Sequence, residues 1–120
     1  LIKYSLNSFL ATKVIFFNQI KKIFDASSAE INWTEFARIL SNDSRIGSSH
    51  MEVPGHDGKK GFGGACFTKD TAALYKYSEE VGEHFSLLGS AININNSIRR
   101  EYHKLDPREK DQNVNYEIDK

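Results

Sequence analysis

Cys66 is the only cysteine of this chain, and its setting is the first sign of chemistry. It stands in Gly61-Phe62-Gly63-Gly64-Ala65-Cys66-Phe67-Thr68-Lys69-Asp70, after a glycine-rich approach and at what reads as the first turn of a helix. Glycines let a substrate come close to the backbone. A helix N-terminus and the neighbouring Lys69 both favour the thiolate, the nucleophilic form of a cysteine. Asp70 shares a helix face with Cys66, where a carboxylate can act as a base toward water. Lys3 and Asn7 share an edge of a different helix; a point charge beside an amide there could hold an oxyanion or a hydroxyl. Each feature also has a plainer explanation. A lone thiol is often a small buried apolar group, Lys3 and Asn7 could be a solvated helix edge, and an acidic residue suits a helix's first turn. On spacing alone both sets of explanations stay open.

Three other chemistries do not fit. Gly58 and Gly63 have the spacing of a phosphate-cradling loop, but Gly64 and Ala65 follow where Lys and Ser or Thr are needed. The dinucleotide fingerprint requires a preceding strand and three glycines in fixed positions, which Gly61 to Cys66 does not supply. His50, His56, Asp57 and Cys66 match no common zinc spacing, so no metal ligands are assigned.

The elements that must position these groups are helices. Ile2, Leu6, Phe9, Leu10, Phe16, Phe17, Ile20, Ile23 and Phe24 recur at helical spacing with no Gly or Pro between them, which predicts one long helix broken at Asp25 to Ser28. It carries more large apolar side chains than a small neighbour covers, which points to a partner subunit. Asn32 and Glu35 resemble a capping box opening a second helix with Trp33, Phe36, Ile39 and Leu40 on its stripe, ending near 41–43. From Asp43 to Gly64 there is no period, and Pro54 with six glycines predicts a long loop suited to binding. Thr68 is the expected cap of a third helix, which runs to about Glu80 with Ala72, Ala73 and Tyr75 inward. A fourth is expected from about Phe85 to His103, on Leu87, Leu88, Ala91, Ile92, Ile98 and Tyr102. The fold class is therefore all-α: a long N-terminal helix and three shorter ones, with the glycine-rich loop between the second and third. Residues 1–105 form the domain, and 106–120 are expected to be a loosely held, charged tail.

Composition sets outer limits. At 120 residues the chain holds one core, and 39% hydrophobic with 27% charged residues is that of an ordinary globular domain. Sixteen basic residues balance sixteen acidic ones, so there is no field to hold nucleic acid or an anionic membrane surface. No stretch is long and apolar enough to span a bilayer. One cysteine makes no internal disulfide, which fits a reducing cytoplasm. The chain opens inside a helical pattern without Met, as a piece of something longer would.

Taken together, the segments resemble one family. The cysteine decapeptide is similar to the signature of UDP-glucose/GDP-mannose dehydrogenases, Gly-Phe/Tyr-Gly-Gly-Ser/Ala-Cys-Phe/Leu-Pro-Lys-Asp, with Thr68 in place of the proline. Lys3 to Lys13 resembles the family's Lys-x-x-x-Asn helix, and Asp43 to Gly47 with Val53 to Gly58 resemble its substrate loop. The resemblance covers residues 1 to about 103. It implies a central helical domain that dimerises through its first helix. The implied activity is oxidation of the C6 alcohol of a nucleotide sugar to a carboxylate, in two hydride transfers to NAD. UDP-glucose is the expected substrate, since Gly-Phe-Gly-Gly-Ala-Cys-Phe is closest to that branch. GDP-mannose, another nucleotide sugar, or a non-catalytic dimerisation module are the alternatives. The resemblance further implies that Cys66 forms a thiohemiacetal and then a thioester. Lys3 and Asn7 would stabilise oxyanions, and Asp70 would assist proton transfer. Phe62, Gly63, Gly64 and Lys69 would lie along the substrate, and Arg45 would reach the neighbouring subunit's sugar nucleotide. The family's NAD-binding Rossmann domain is not in this sequence, so the chain alone is expected to bind no NAD and turn nothing over.

Overall fold

The computed structural model describes residues 1–120 as five helices and no strand. They are α1 (Ile2–Ala26), α2 (Trp33–Ser41), α3 (Ala65–Glu80), α4 (Ser86–Arg99) and the short α5 (Pro107–Asp111). The all-helical class and the long first helix are as the periodicity predicts. No helix is long and apolar enough to cross a membrane.

The core forms where α1, α3 and α4 meet. Ala11, with no exposed surface, lets the other elements approach α1 closely, and Ile15, Phe62 and Ala91 close over it. Leu74 and Tyr75 of α3 pack against Leu88 and Ile92 of α4. Gly89 is required there: a Cβ on it would stand 2.7 Å from Cε2 of Tyr75. A third cluster ties the long loop down, with Met51 and Val53 packed on Phe17 and on Trp33, Ala37 and Leu40. Asn32 opens α2 by accepting from the Glu35 N–H at 2.8 Å.

Helix α1 divides its apolar residues differently from the single stripe expected of it. Its inward face is Ser8, Ala11, Ile15, Phe17 and Asn18. Ile2, Leu6, Phe9, Phe16 and Ile23 point outward, each more than half exposed. These outward positions advance by three, four or seven residues, a seam of heptad spacing along one side of the rod.

Two boundaries differ from expectation. Helix α3 opens at Ala65 rather than being capped by Thr68, because Gly64 takes φ 77°, ψ −178°, a conformation open essentially to glycine alone. The Thr68 hydroxyl instead donates back to the Gly64 carbonyl at 2.6 Å. Helix α4 ends at Arg99, short of the expected His103.

The tail is not loose. Asp106 and Glu109 form a capping box with Pro107 at the first helical position, which sets up α5. Glu109 and Tyr116 are buried against the body of the domain. Arg100 donates to the Tyr116 carbonyl at 3.0 Å, and Asn96 to that of Ile118. The anchors are mostly polar, which is why a search for apolar spacing overlooks them.

Candidate active site

Three of the chemistry-bearing residues meet where α1 lies along α3. Asp70 is completely buried, and its Oδ2 accepts from Asn7 Nδ2 at 2.7 Å. Lys3 Nζ stands 4.0 Å from the same oxygen, its own side chain 70% exposed. The other oxygen, Oδ1, is buried and has no partner. Cys66 is exposed and sits one helical turn before Asp70 on the same helix. A soft nucleophile facing solvent and a carboxylate held in place by an amide and a lysine are thus carried by one rigid element.

The glycine loop that leads into Cys66 is held by side chains the sequence pattern does not single out. Gly61 N–H donates to Asn18 Oδ1 at 2.9 Å, and Phe62 N–H to Asn95 Oδ1 at 2.7 Å. Arg99 donates to the Gly61 carbonyl at 3.2 Å, and Gly64 N–H donates to Glu109 at 3.2 Å. All four of these side chains are buried. The available signal was Asn95 and Arg99, four residues apart on the core side of α4, where apolar residues are the rule.

The remaining predicted residues take distinct places. Phe62 is a core side chain packed with Ala11 and Ile15, and its N–H is taken by Asn95, so it is a structural anchor of the loop. Gly63 and Gly64 line a cleft of about 510 Å³ with His50, Asp57, Phe67 and Arg99. Lys69 does not join Lys3, Asn7 and Asp70; it lines a separate cavity of about 290 Å³ between α3, α4 and the tail. Arg45 is 87% exposed, held to Asp43 at 2.7 Å, and pairs with no other carboxylate. His50, His56, Asp57 and Cys66 form no group that could hold a metal ion.

Electrostatics favour a fixed cleft wall. Burial pushes the Asp57 carboxyl upward, but hydrogen bonds from Arg99, at 2.8 Å, and from the Lys59 N–H outweigh it and hold the group below its ordinary value. His50 is pushed down, first by burial and then by Lys13 and His56. Lys13, in turn, donates to the Ile46 carbonyl at 2.7 Å and pins the start of the loop to α1.

Comparison with known proteins settles the family. Residues 1–97 match the model of the UDP-glucose/GDP-mannose dehydrogenase family, central domain. This chain belongs to that family. It is 39% identical over 97 residues to UDP-glucose 6-dehydrogenase YwqF of Bacillus subtilis, covering 81% of this chain and 20% of the relative. TuaD of the same organism, also a UDP-glucose 6-dehydrogenase, is 37% identical over 99 residues, 82% of this chain and 20% of that protein. The UDP-glucose 6-dehydrogenase of Caenorhabditis elegans is 35% identical over 107 residues, 85% of this chain and 20% of its own length. The chain therefore spans about a fifth of the length of these relatives.

The NAD that a dehydrogenase of this family implies does not fit the residues present. No strand leads into the glycine turn, and the Gly64 N–H at the head of α3, where a pyrophosphate would dock, is taken by the Glu109 carboxylate.

Proposed function

We propose that this chain is the central, cysteine-bearing and dimerising portion of an NAD-dependent UDP-glucose 6-dehydrogenase. The hydride acceptor is bound by a part of the enzyme outside these residues. The observation that carries the proposal is Asp70. It is wholly buried, with one oxygen held by Asn7 and faced by Lys3, one turn from an exposed thiol.

Starting from the C6 aldehyde of the nucleotide sugar, the Cys66 thiolate adds to the carbonyl carbon, and the electron pair of the C=O moves onto oxygen. Lys3 and the Asn7 amide stabilise that oxyanion, as donors aimed at developing charge do. Loss of hydride from the same carbon leaves a thioester. Water then attacks the thioester carbon while the Asp70 carboxylate takes the water's proton. The C–S bond breaks, returning the Cys66 thiolate and releasing the carboxylate product.

The second half of the proposal is a homodimer through α1. Its outward seam of Ile2, Leu6, Phe9, Phe16 and Ile23 supports this, since apolar faces of that extent mark association surfaces. Arg45, exposed and far from any other partner than Asp43, is free to serve the neighbouring protomer's substrate. Residues 1–105 form the catalytic and dimerising unit, with 106–120 packed onto it.

The test is Cys66→Ser in the protein with its NAD-binding portion joined to this chain. Oxidation of UDP-glucose to the acid, read from the absorbance of reduced cofactor, is expected to be lost. Undiminished acid formation refutes the assignment and favours a purely assembling domain. The 120-residue chain alone, mixed with NAD and UDP-glucose, is expected to show no such absorbance.

A further inference from the structure

Glu109 has no exposed surface, and no cation is hydrogen-bonded to it. Its carboxylate accepts from three neutral donors: the Asp106 N–H at 3.0 Å, the Gly64 N–H at 3.2 Å and, through a short bond, the Tyr116 hydroxyl. Burying a carboxylate so completely is unfavourable unless such bonds are all made, so the arrangement is exacting. Glutamine could not replace it, because its single acceptor oxygen serves either Asp106 or the Gly64 and Tyr116 side, not both.

What it holds matters more. Gly64 adopts a conformation that no side chain tolerates, and nothing lies within 4 Å of where its Cβ would be. The Gly64 N–H is held by the hydrogen bond to Glu109, and its carbonyl by the Thr68 hydroxyl. On the other side of the step, Gly63 is pressed against the Arg99 guanidinium, whose Nη1 would be 2.3 Å from a Cβ. The 63–64 link is gripped between a cation from α4 and an anion from α5, and Cys66 follows within the first turn of α3.

We infer that Glu109, with Tyr116 behind it, is a positioning residue for Cys66, an inference that rests on Cys66 being the nucleophile. Glu109 touches no reacting atom. It fixes the Gly64 peptide, which sets where α3 begins and so where the thiol stands relative to Asp70.

The test uses Glu109→Ala, Glu109→Gln and Tyr116→Phe in the full chain, with circular dichroism to confirm folding. Amide exchange at Gly64 is measured by NMR, with Leu88 as a core reference, and alkylation of Cys66 by iodoacetamide is timed at one fixed pH. Exchange at Gly64 is expected to rise at least tenfold in both Glu109 variants and two- to fivefold in Tyr116→Phe, with Leu88 unchanged within twofold. Alkylation is expected to change at least threefold in the Glu109 variants. If Glu109→Ala does not fold, the other two variants decide. Cys66 alkylation within twofold of wild type in folded Glu109→Gln overturns the inference whatever Gly64 exchange does, as does Gly64 exchange within twofold of wild type in that variant. None of these measurements needs nucleotide sugar or NAD. Turnover that survives Cys66→Ser removes the catalytic assignment instead, so the two failures are told apart.

Discussion

Substituting Gly63 by alanine tests how tightly the loop is held. The added Cβ would lie 2.3 Å from Nη1, 2.7 Å from Cζ and 3.0 Å from Nη2 of Arg99, closer than real Cβ contacts come. The guanidinium has nowhere to retreat, being 2% exposed and bonded to Asp57 at 2.8 Å and to the Gly61 carbonyl at 3.2 Å. Forcing extra volume into a packed site costs about 1–3 kcal/mol. Breaking a buried ion pair costs about 3–5 kcal/mol, and the lower end applies because Asp57 can rehydrate at its 36% exposed side chain. The backbone offsets part of this, since alanine narrows the unfolded ensemble by about 0.4–1 kcal/mol. Because steric strain and loss of the pair are alternative outcomes of one clash, the net expectation is about 2 kcal/mol, a large share of the ~5–15 kcal/mol of a typical domain. The assay is urea unfolding followed by circular dichroism, with Gly58→Ala as control. Gly58, unlike Gly63, has positive φ and nothing within 4 Å of an added Cβ, so only backbone strain of roughly 1 kcal/mol is expected there. A double mutant with Arg99→Ala should recover about 2 kcal/mol of the clash as coupling energy. A Gly63→Ala cost below 1 kcal/mol, or strict additivity in the double mutant, refutes the steric argument.

Other expectations follow from the same structure. Phe16→Glu, on the outward seam of α1, should convert a dimer to a monomer in sedimentation; a wild type of single-chain mass, or a variant that still pairs, contradicts the interface. Asn7→Ala removes the short donor to buried Asp70 and leaves only Lys3 at 4.0 Å, so thermal melts should show a loss of about 2 kcal/mol. His50 is held below its ordinary value of 6.5, so the folded state binds its proton less readily than the unfolded chain does. Its contribution is therefore fully present above pH 6.5 and is lost as the pH falls from there through the depressed folded value. His50→Asn, which tolerates the positive φ of 63°, should flatten that part of the stability profile, and an unchanged slope would assign it to other groups.

Much of the scaffold was legible because long helices write their period into the chain. Residues 2–24 and 33–41 needed nothing else. The limits of α3 were not legible, because they depend on Gly64 adopting a conformation that only a distant carboxylate makes worthwhile. Thr68, a good cap by residue type, lost to that tertiary contact. The tail was misjudged for a related reason: Glu109 and Tyr116 are anchored by hydrogen bonds, and a charged, amide-rich stretch gives no apolar signal. At the site, Lys3, Asn7 and Asp70 converge, an arrangement that spacing alone leaves open and the family resemblance implies. Asn95 and Arg99 carry a signal only in sharing the core side of α4, and Asn18 and Glu109 carry none, since a polar residue on a helix face looks solvated until the neighbour that buries it is known.

The partners of the glycine turn are far apart along the chain. Asn18 lies 43 residues before Gly61, Asn95 lies 33 after Phe62, and Glu109 lies 45 after Gly64. During synthesis the thiol leaves the ribosome after Asn18 but well ahead of Asn95, Arg99 and Glu109. Contacts of such long sequence separation form late, because loop closure must precede them. An incomplete chain would thus carry its one thiol on an unorganised segment, and only the arrival of α4 and α5 would give it a fixed place.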